Sequence, residues 1–354
     1  MRNGLDSHTK NDNTLKPLVI PIFIPHRGCP HQCAFCNQSI ITNEQAMLPD
    51  RNRIRQEADT YLRYRGKRNR VQLAFFGGTF LGLPPEEARE LLRIAEELVT
   101  EKKIDSVRCS TRPDTITSKN LDMAAQFSLS TVELGVQSMD DQVLSTARRG
   151  HTAKDTENAA RLLRDYGIET GMQMMVGLPG DTDTTAIKTA RAIAAFKPAF
   201  VRIYPLMVLK HSLIHKWHTQ GSYTPMTLPH CVDLVAAIYR IFEENGIPVI
   251  RMGLQASEIL QDEDAMVAGP WHPAFGHLVF SKLMLDKTLA QLSSLPETMA
   301  SRPIGLRVNP ASESRLRGDH NLNMKHLKAL YPLADFNIVR DPSLAPDTVA
   351  IDPE

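Results

Sequence analysis

Three cysteines fall within eight residues: Cys29, Cys33 and Cys36, spaced C-x3-C-x2-C in CPHQCAFC. Three thiolates on one short loop can hold a soft metal site and leave one coordination position open. Iron–sulfur clusters usually take four cysteine thiolates, so a cluster held by three has one iron open to another ligand. A structural zinc ion would want a fourth protein ligand, which His26 or His31 could supply. A disulfide is the third reading. The chain has five cysteines, an odd number without framework spacing, and it opens on no signal peptide. Both features point to a reducing cytoplasm and argue against the disulfide.

The cysteine loop must be carried by something rigid. It follows an apolar run, LVIPIFIP (18–25), which reads as a buried strand. VQLAFFGG (71–78) is a second strand, followed by a helix from Pro85 with Glu86 and Glu87 in its first turn. Leu91, Leu92, Ala95, Leu98 and Val99 form the apolar stripe of that helix. Strands at 105–111, 131–137, 168–177 and 199–206 then alternate with helices near 118–127, 152–166 and 183–196, the last with Ile187, Ala190 and Ala194 on one face. Six strand–helix alternations imply an α/β fold with a parallel sheet and helices outside. A partly closed (β/α) barrel and an open doubly wound sheet both fit. Both place active sites at the C-terminal ends of the strands, where the polar motifs cluster.

Beyond residue 206 the pattern changes. A helix at 229–245 stops at Gly246, 247–255 reads as a short strand and turn, and 269–292 runs from loop into helix. Residues 303–352 read strand, helix, strand, strand. The expected organisation is a loose tail at 1–16, a main domain at 17–295 (core 18–206, closing helices 207–295), and a small C-terminal α/β unit at 296–354. The net charge of the 354 residues is only +1, so any polyanion site must be a local patch. The strongest candidate is 51–70, with eight Arg or Lys against one Glu and one Asp; a solvated helix face and a phosphate-facing patch both fit it. No run of apolar residues is long enough to span a membrane.

CPHQCAFC, FFGGTF (75–80), ELGVQS (133–138) and GLPG (177–180), in that order, resemble the radical S-adenosylmethionine (SAM) enzymes. STRPD (110–114), ELGVQSMDD, RRGHT (148–152) and VRIYPLMVLKHSLIHKW (201–217) are similar to the radical SAM domain of the elongator catalytic subunit family. The resemblance covers roughly residues 18–285 and implies a partial (β/α)6 TIM-like barrel with the small C-terminal unit as an appendage. It implies that Cys29, Cys33 and Cys36 ligate a [4Fe–4S] cluster whose fourth iron binds SAM, with Phe35 against the adenine. Gly77, Gly78 and Thr79 match the motif that meets the methionine end of SAM, where two glycines let backbone approach a charged group closely. Gln137, Arg149 and Gln173 match polar positions around SAM; Ser110 departs from the carboxylate that many relatives place near the SAM ribose or amino acid, and Arg112, two residues on, could serve as the polar contact there. For Gln137 and Gln173, satisfaction inside the barrel is the alternative. The one-electron chemistry would be the cofactor's, with the protein supplying position and dryness. An electron donor such as a flavodoxin or ferredoxin is implied as a partner.

For the substrate, Glu133, Tyr204, Lys210 and His272 are candidates, with arginine pairing the alternative for Glu133 and loop capping for His272. No catalytic residue is assigned. Cys109 and Cys231 read as core, as do Met172, Met174 and Met175. The chain ends before an acetyltransferase domain of the elongator kind could fit, and it carries His211–Ser212 where that family has Gly-Thr. Residues 308–331 resemble a KH-type nucleic-acid unit, although the loop that should read G-x-x-G reads G-D-H-N from Gly318. RNA, including tRNA, is the favoured substrate class. The alternatives are a small molecule such as a tetrapyrrole and, without catalysis, a zinc-stabilised RNA-binding protein.

Overall fold

β1 (Leu18–Ile24) buries Leu18, Ile20, Ile22 and Ile24, every second residue. β2 (Val71–Gly77) is buried over its first five residues, as a strand covered on both faces must be. The two pair in parallel, from Leu18 opposite Val71 to Ile24 opposite Gly77. β3 (Ser106–Thr111), β4 (Leu129–Gln137), β5 (Glu169–Val176), β6 (Phe200–Pro205), the short β7 (Val208–Leu209) and β8 (Val249–Met252) follow. One seven-stranded sheet runs in the order β1-β2-β3-β4-β5-β6-β8. The pairs β1–β2, β2–β3, β3–β4 and β6–β8 are parallel. With helices between successive strands, this is the partial (β/α) barrel expected from the sequence, extended by β8.

The helices are α1 (Arg51–Leu62), α2 (Pro85–Thr100), α3 (Ser118–Ala124), α4 (Asp141–Thr146), α5 (Ala153–Asp165), α6 (Asp183–Ala195), α7 (Leu213–Thr219), α8 (Leu228–Glu244) and α9 (Phe275–Leu292). β9 (Met266–Ala268) pairs antiparallel with β7. β10 (Pro303–Val308), α10 (Glu313–Arg317), α11 (Leu322–Leu330), β11 (Asp335–Arg340) and β12 (Val349–Pro353) complete the chain. This computed structural model describes residues 16–24, 27–36, 47–254, 265–295 and 303–353. The expected tail, apart from Lys16, and the candidate zinc ligand His26 lie outside the described residues. No helix among the described residues is long and apolar enough to cross a membrane.

The chain divides into two compact units. The first comprises residues 1–32, 38–136 and 148–173. Its longest helix, α2, starts on Pro85 with Glu86 and Glu87 in the first turn, which suits the positive end of the helix dipole. It buries Ala88, Leu91, Leu92, Ile94, Ala95 and Leu98, while Val99 is only half-buried. α5 opens with a reciprocal capping box between Thr152 and Asp155, worth about 1 kcal/mol.

The second unit comprises residues 33–37, 137–147 and 174–354. α6 also starts with a capping box, Thr182 with Thr185. It buries Ala186, Thr189, Ala190, Ile193 and Ala194, and Ile187 lies at the margin of that stripe. β10 is the central strand of a three-stranded sheet, parallel to β11 and antiparallel to β12. Met284 and Leu292 of α9 share a core with Ile304, Leu306, Val308, Leu316, Leu327 and Val349. In the G-D-H-N turn, Gly318, His320 and Asn321 all have positive φ.

Candidate functional site

In the first unit the cysteine loop meets the glycine turn after β2. Gly28 has φ +80°, and a Cβ there would stand 2.2 Å from the Thr79 carbonyl oxygen. Only glycine permits that approach. Gly77 is bound by a similar demand: φ is +104°, and a Cβ would fall 2.2 Å from the Phe23 ring. The Thr79 amide donates to the Arg27 carbonyl at 3.1 Å. The result sets Cys29 Sγ 2.9 Å from Thr79 Oγ1. Cys29 is half-buried and Thr79 buried, so the first thiol of the loop and the end of the glycine motif form one local assembly.

Two further strand ends supply polar atoms. Arg112, just past β3, is 3% exposed and makes a two-pronged contact to Asp114, Nε to Oδ1 at 2.9 Å and Nη2 to Oδ2 at 3.0 Å. Its Nη1 is buried and has no hydrogen-bond partner among the described residues, and the same holds for Ser110 Oγ. Arg149 donates from Nη2 to the Gly135 carbonyl at 2.6 Å. His151, buried at 4% exposure, lies 3.2 Å through Nε2 from the Val136 carbonyl. Burial, with the charges of Arg149 and Arg112, pushes its pKa down to about 3. The ring is therefore neutral at physiological pH. Nε2 carries the proton and donates to Val136, leaving Nδ1 as a buried acceptor with no partner among the described residues. His151 was not singled out from the sequence, though it lies within RRGHT.

Glu133 occupies the middle of β4 and is fully buried. Arg108 of β3 donates to Glu133 Oε1 at 3.1 Å, and Gln173 of β5 to Oε2 at 3.1 Å. Arg108 also donates to Gln72 Oε1 of β2 at 2.8 Å. For Glu133 the structure shows the alternative, an arginine partner, in Arg108. Gln173 is tied to the carboxylate, the alternative of satisfaction inside the barrel. Sequence reasoning did not single out Arg108 or Gln72.

In the second unit, the segment carrying Cys33 and Cys36 is fastened by backbone. The Ala34 amide donates to Ala147 at 2.9 Å, and the Ala34 carbonyl accepts from Ile214 at 2.8 Å. Phe35 packs against Val143, Ala147, Leu178, Leu206, Val208 and Ile214. Gln137, at the end of β4, has φ +66°, and its Oε1 is buried without a partner among the described residues. A left-handed non-glycine residue is a strained feature of the kind that gathers at functional sites. Tyr204 accepts from Arg202 Nη1 at 3.3 Å. Lys210 is half-buried, and its amide donates to the Ala265 carbonyl. His272 accepts the Ala274 amide at Nδ1, 3.1 Å, and so caps its own loop.

No cysteine among the described residues is in a disulfide. Burial raises the thiol pKa of Cys109, and that of Cys231 to about 12, so both stay protonated. Both are fully buried, as expected of core residues. No group of three or more His, Cys, Asp or Glu side chains among the described residues is arranged around a single ion. A cluster makes a different demand, since each of its thiolates binds its own iron.

Comparison with known proteins adds to this geometry. Residues 23–193 match the family model of the radical SAM superfamily, and 198–284 match that of the radical SAM C-terminal domain. The chain is 26% identical over 272 residues to a tRNA uridine(34) acetyltransferase of Dehalococcoides mccartyi, covering 67% of this chain and 57% of that protein. It is 24% identical over 294 residues to Elongator complex protein 3 of Schizosaccharomyces pombe, covering 66% and 53%. The chain thus spans about half the length of these curated relatives. An N-terminally truncated archaeal Elp3 from Methanocaldococcus infernus has a similar fold, with TM-score 0.58, 21% identity, and coverage of 81% of this chain and 66% of that one.

Proposed function

The chain belongs to the radical SAM superfamily, and we propose that it is an enzyme that holds a [4Fe–4S] cluster and SAM and acts on RNA. The observation that carries this reading is the Cys29–Thr79 contact, which joins the cysteine loop to the glycine turn. The donors present suit the cofactors. Cys29, Cys33 and Cys36 would hold three irons, leaving the fourth for the amino and carboxylate groups of SAM. When bound and reduced, the cluster would supply the electron for reductive cleavage of SAM.

The chain's own residues would bind and orient. The backbone at Gly77–Thr79 offers a close approach to the amino-acid end of SAM. Arg112, fixed in its rotamer by Asp114, keeps one N–H to give to an anionic or hydroxyl oxygen. His151 Nδ1 can accept from a hydroxyl, and Gln137 Oε1 from an amine or hydroxyl. Leaving a buried polar atom unpaired costs about 1–3 kcal/mol, so a ligand group that pairs with any one of them recovers that cost. Phe35, partly buried against that apolar cluster, would lie against the adenine of SAM.

RNA as substrate class is supported by the names of relatives matched over this region, the tRNA uridine(34) acetyltransferases. The test is anaerobic reconstitution with iron and sulfide. The expected product is a brown protein with about four iron and four sulfide per chain. On reduction with SAM present it releases 5′-deoxyadenosine. A colourless protein retaining one zinc would overturn the reading in favour of a zinc-stabilised binding protein.

A further inference from the structure

The basic stretch 51–70 divides into two parts with different fates. At the start of α1, Arg51 pairs with Glu97 at 2.6 Å and Arg55 with Glu101 at 2.5 Å, so those charges are spent on α2. The rest gathers in the turn between α1 and β2. There Arg63, Arg65, Lys67, Arg68 and Arg70 fall within eight residues, with no acidic residue among them. The whole chain carries +1, so this turn stands out against a slightly negative remainder.

The turn is braced by its own cations. Arg68 donates from Nη1 to the Tyr64 and Arg65 carbonyls at 2.6 and 3.3 Å, and Arg65 donates from Nε to the Arg68 carbonyl at 3.2 Å. These are contacts to backbone, and neither arginine has a carboxylate partner among the described residues. Arg70 reaches Glu169 only at 3.9 Å across an exposed gap. Arg63 and Lys67 are exposed, and neither has a carboxylate partner among the described residues. Between them Tyr64 stands 71% exposed. Cations at a helix C-terminus complement its dipole, which accounts for Arg63 and Arg65 but not for Lys67, Arg68 and Arg70 beyond it. Nor does it account for an exposed aromatic side chain. Fixed cations around an exposed aromatic ring are the two parts of a single-strand nucleic-acid contact: charge for phosphates, and a face on which a base stacks.

The position of this turn adds a constraint. It precedes β2, whereas Gly77–Thr79 lies at the other end of that strand. Six residue steps at about 3.3 Å separate them by roughly 20 Å. A ligand touching both would be far longer than a nucleotide or a single cofactor. We propose that the 63–70 turn is a second RNA-binding surface, which holds an unpaired segment of a polynucleotide at the end of the sheet away from the cysteine loop. This rests on the RNA reading above.

The test uses the full chain and fluorescently labelled, unfractionated tRNA, with anisotropy read over a range of salt concentrations. Replacing Arg63 and Lys67 together by Ala should lower the slope of log K against log salt by about 1.5, the value for two lost phosphate contacts. Tyr64→Ala should weaken binding about ten-fold at unchanged slope. Arg51→Ala with Arg55→Ala serves as the charge-matched control and should leave the slope unchanged. All three variants should release 5′-deoxyadenosine as the parent does. RNA binding that is indifferent to Arg63, Tyr64 and Lys67 would overturn the proposal and leave the RNA reading standing. RNA binding by a chain that never cleaves SAM would overturn the enzymatic reading and leave this one standing. Polyglutamate binding as well as tRNA would make the turn a dock for an acidic protein, and would also overturn it.

Discussion

Lowering the pH should destabilise this protein through His151 in a way that a single substitution removes. In the folded chain burial and the nearby Arg149 and Arg112 hold the imidazole pKa at about 3, against 6.5 for an unperturbed histidine. The sign follows from proton uptake. Between those two values the unfolded chain binds a proton that the folded chain refuses, so stability is lost as pH falls from 6.5 toward 3. At pH 5 the loss is about 2 kcal/mol relative to pH 8. Gln at 151 keeps an N–H for the Val136 carbonyl but does not titrate. Urea denaturation of parent and His151→Gln at pH 8 and pH 5 isolates the effect. The parent should lose about 2 kcal/mol more than the variant, a midpoint difference of about 1 M at ordinary urea sensitivity. The ring resonances of His151 should also show no titration between pH 8 and 5. Equal losses in parent and variant, or a ring that titrates near 6.5, would refute the neutral-tautomer assignment and with it the acceptor role given to Nδ1.

Two further outcomes follow from packing. Glu133→Gln should cost up to about 3–5 kcal/mol by removing the carboxylate charge that faces the buried Arg108, whereas Glu133→Leu combined with Arg108→Met should cost less; chemical denaturation of both variants decides it, and a double variant worse than the single one would contradict the pairing. Gly28→Ala should lower the iron retained after anaerobic reconstitution as well as stability, because its Cβ meets the Thr79 carbonyl at a φ that disfavours side chains.

Much of the architecture was legible because parallel strands buried on both faces leave continuous apolar runs, as VQLAFF does, and their ends are marked by glycine. The cysteine loop was legible from spacing alone. The Glu133 environment was not. Its partners lie on neighbouring strands, at sequence separations of 25 and 40 residues, and only the register selects them. His151 was hidden for a similar reason: a histidine in a loop gives no sign that two arginines and a backbone carbonyl will enclose it. Helix faces were read to within one position. Ile187 looked inward by hydrophobicity, yet Ala186 and Ile193 define the buried stripe, because small residues let α6 pack closely. The basic stretch could not be divided from sequence, since what separates Arg55 from Lys67 is the presence of Glu101 on the neighbouring helix.

Gln72, Arg108, Glu133 and Gln173 come one each from β2, β3, β4 and β5 and are joined hand to hand by hydrogen bonds. Such a chain constrains descent as well as folding. A change at any one link costs its neighbours a buried hydrogen bond, so it is tolerated best when another link has already changed or changes with it. The four positions should therefore be inherited as a set. A lineage that gives up the charge pair should do so by replacing Arg108 and Glu133 together, through an intermediate that survives only with stability to spare.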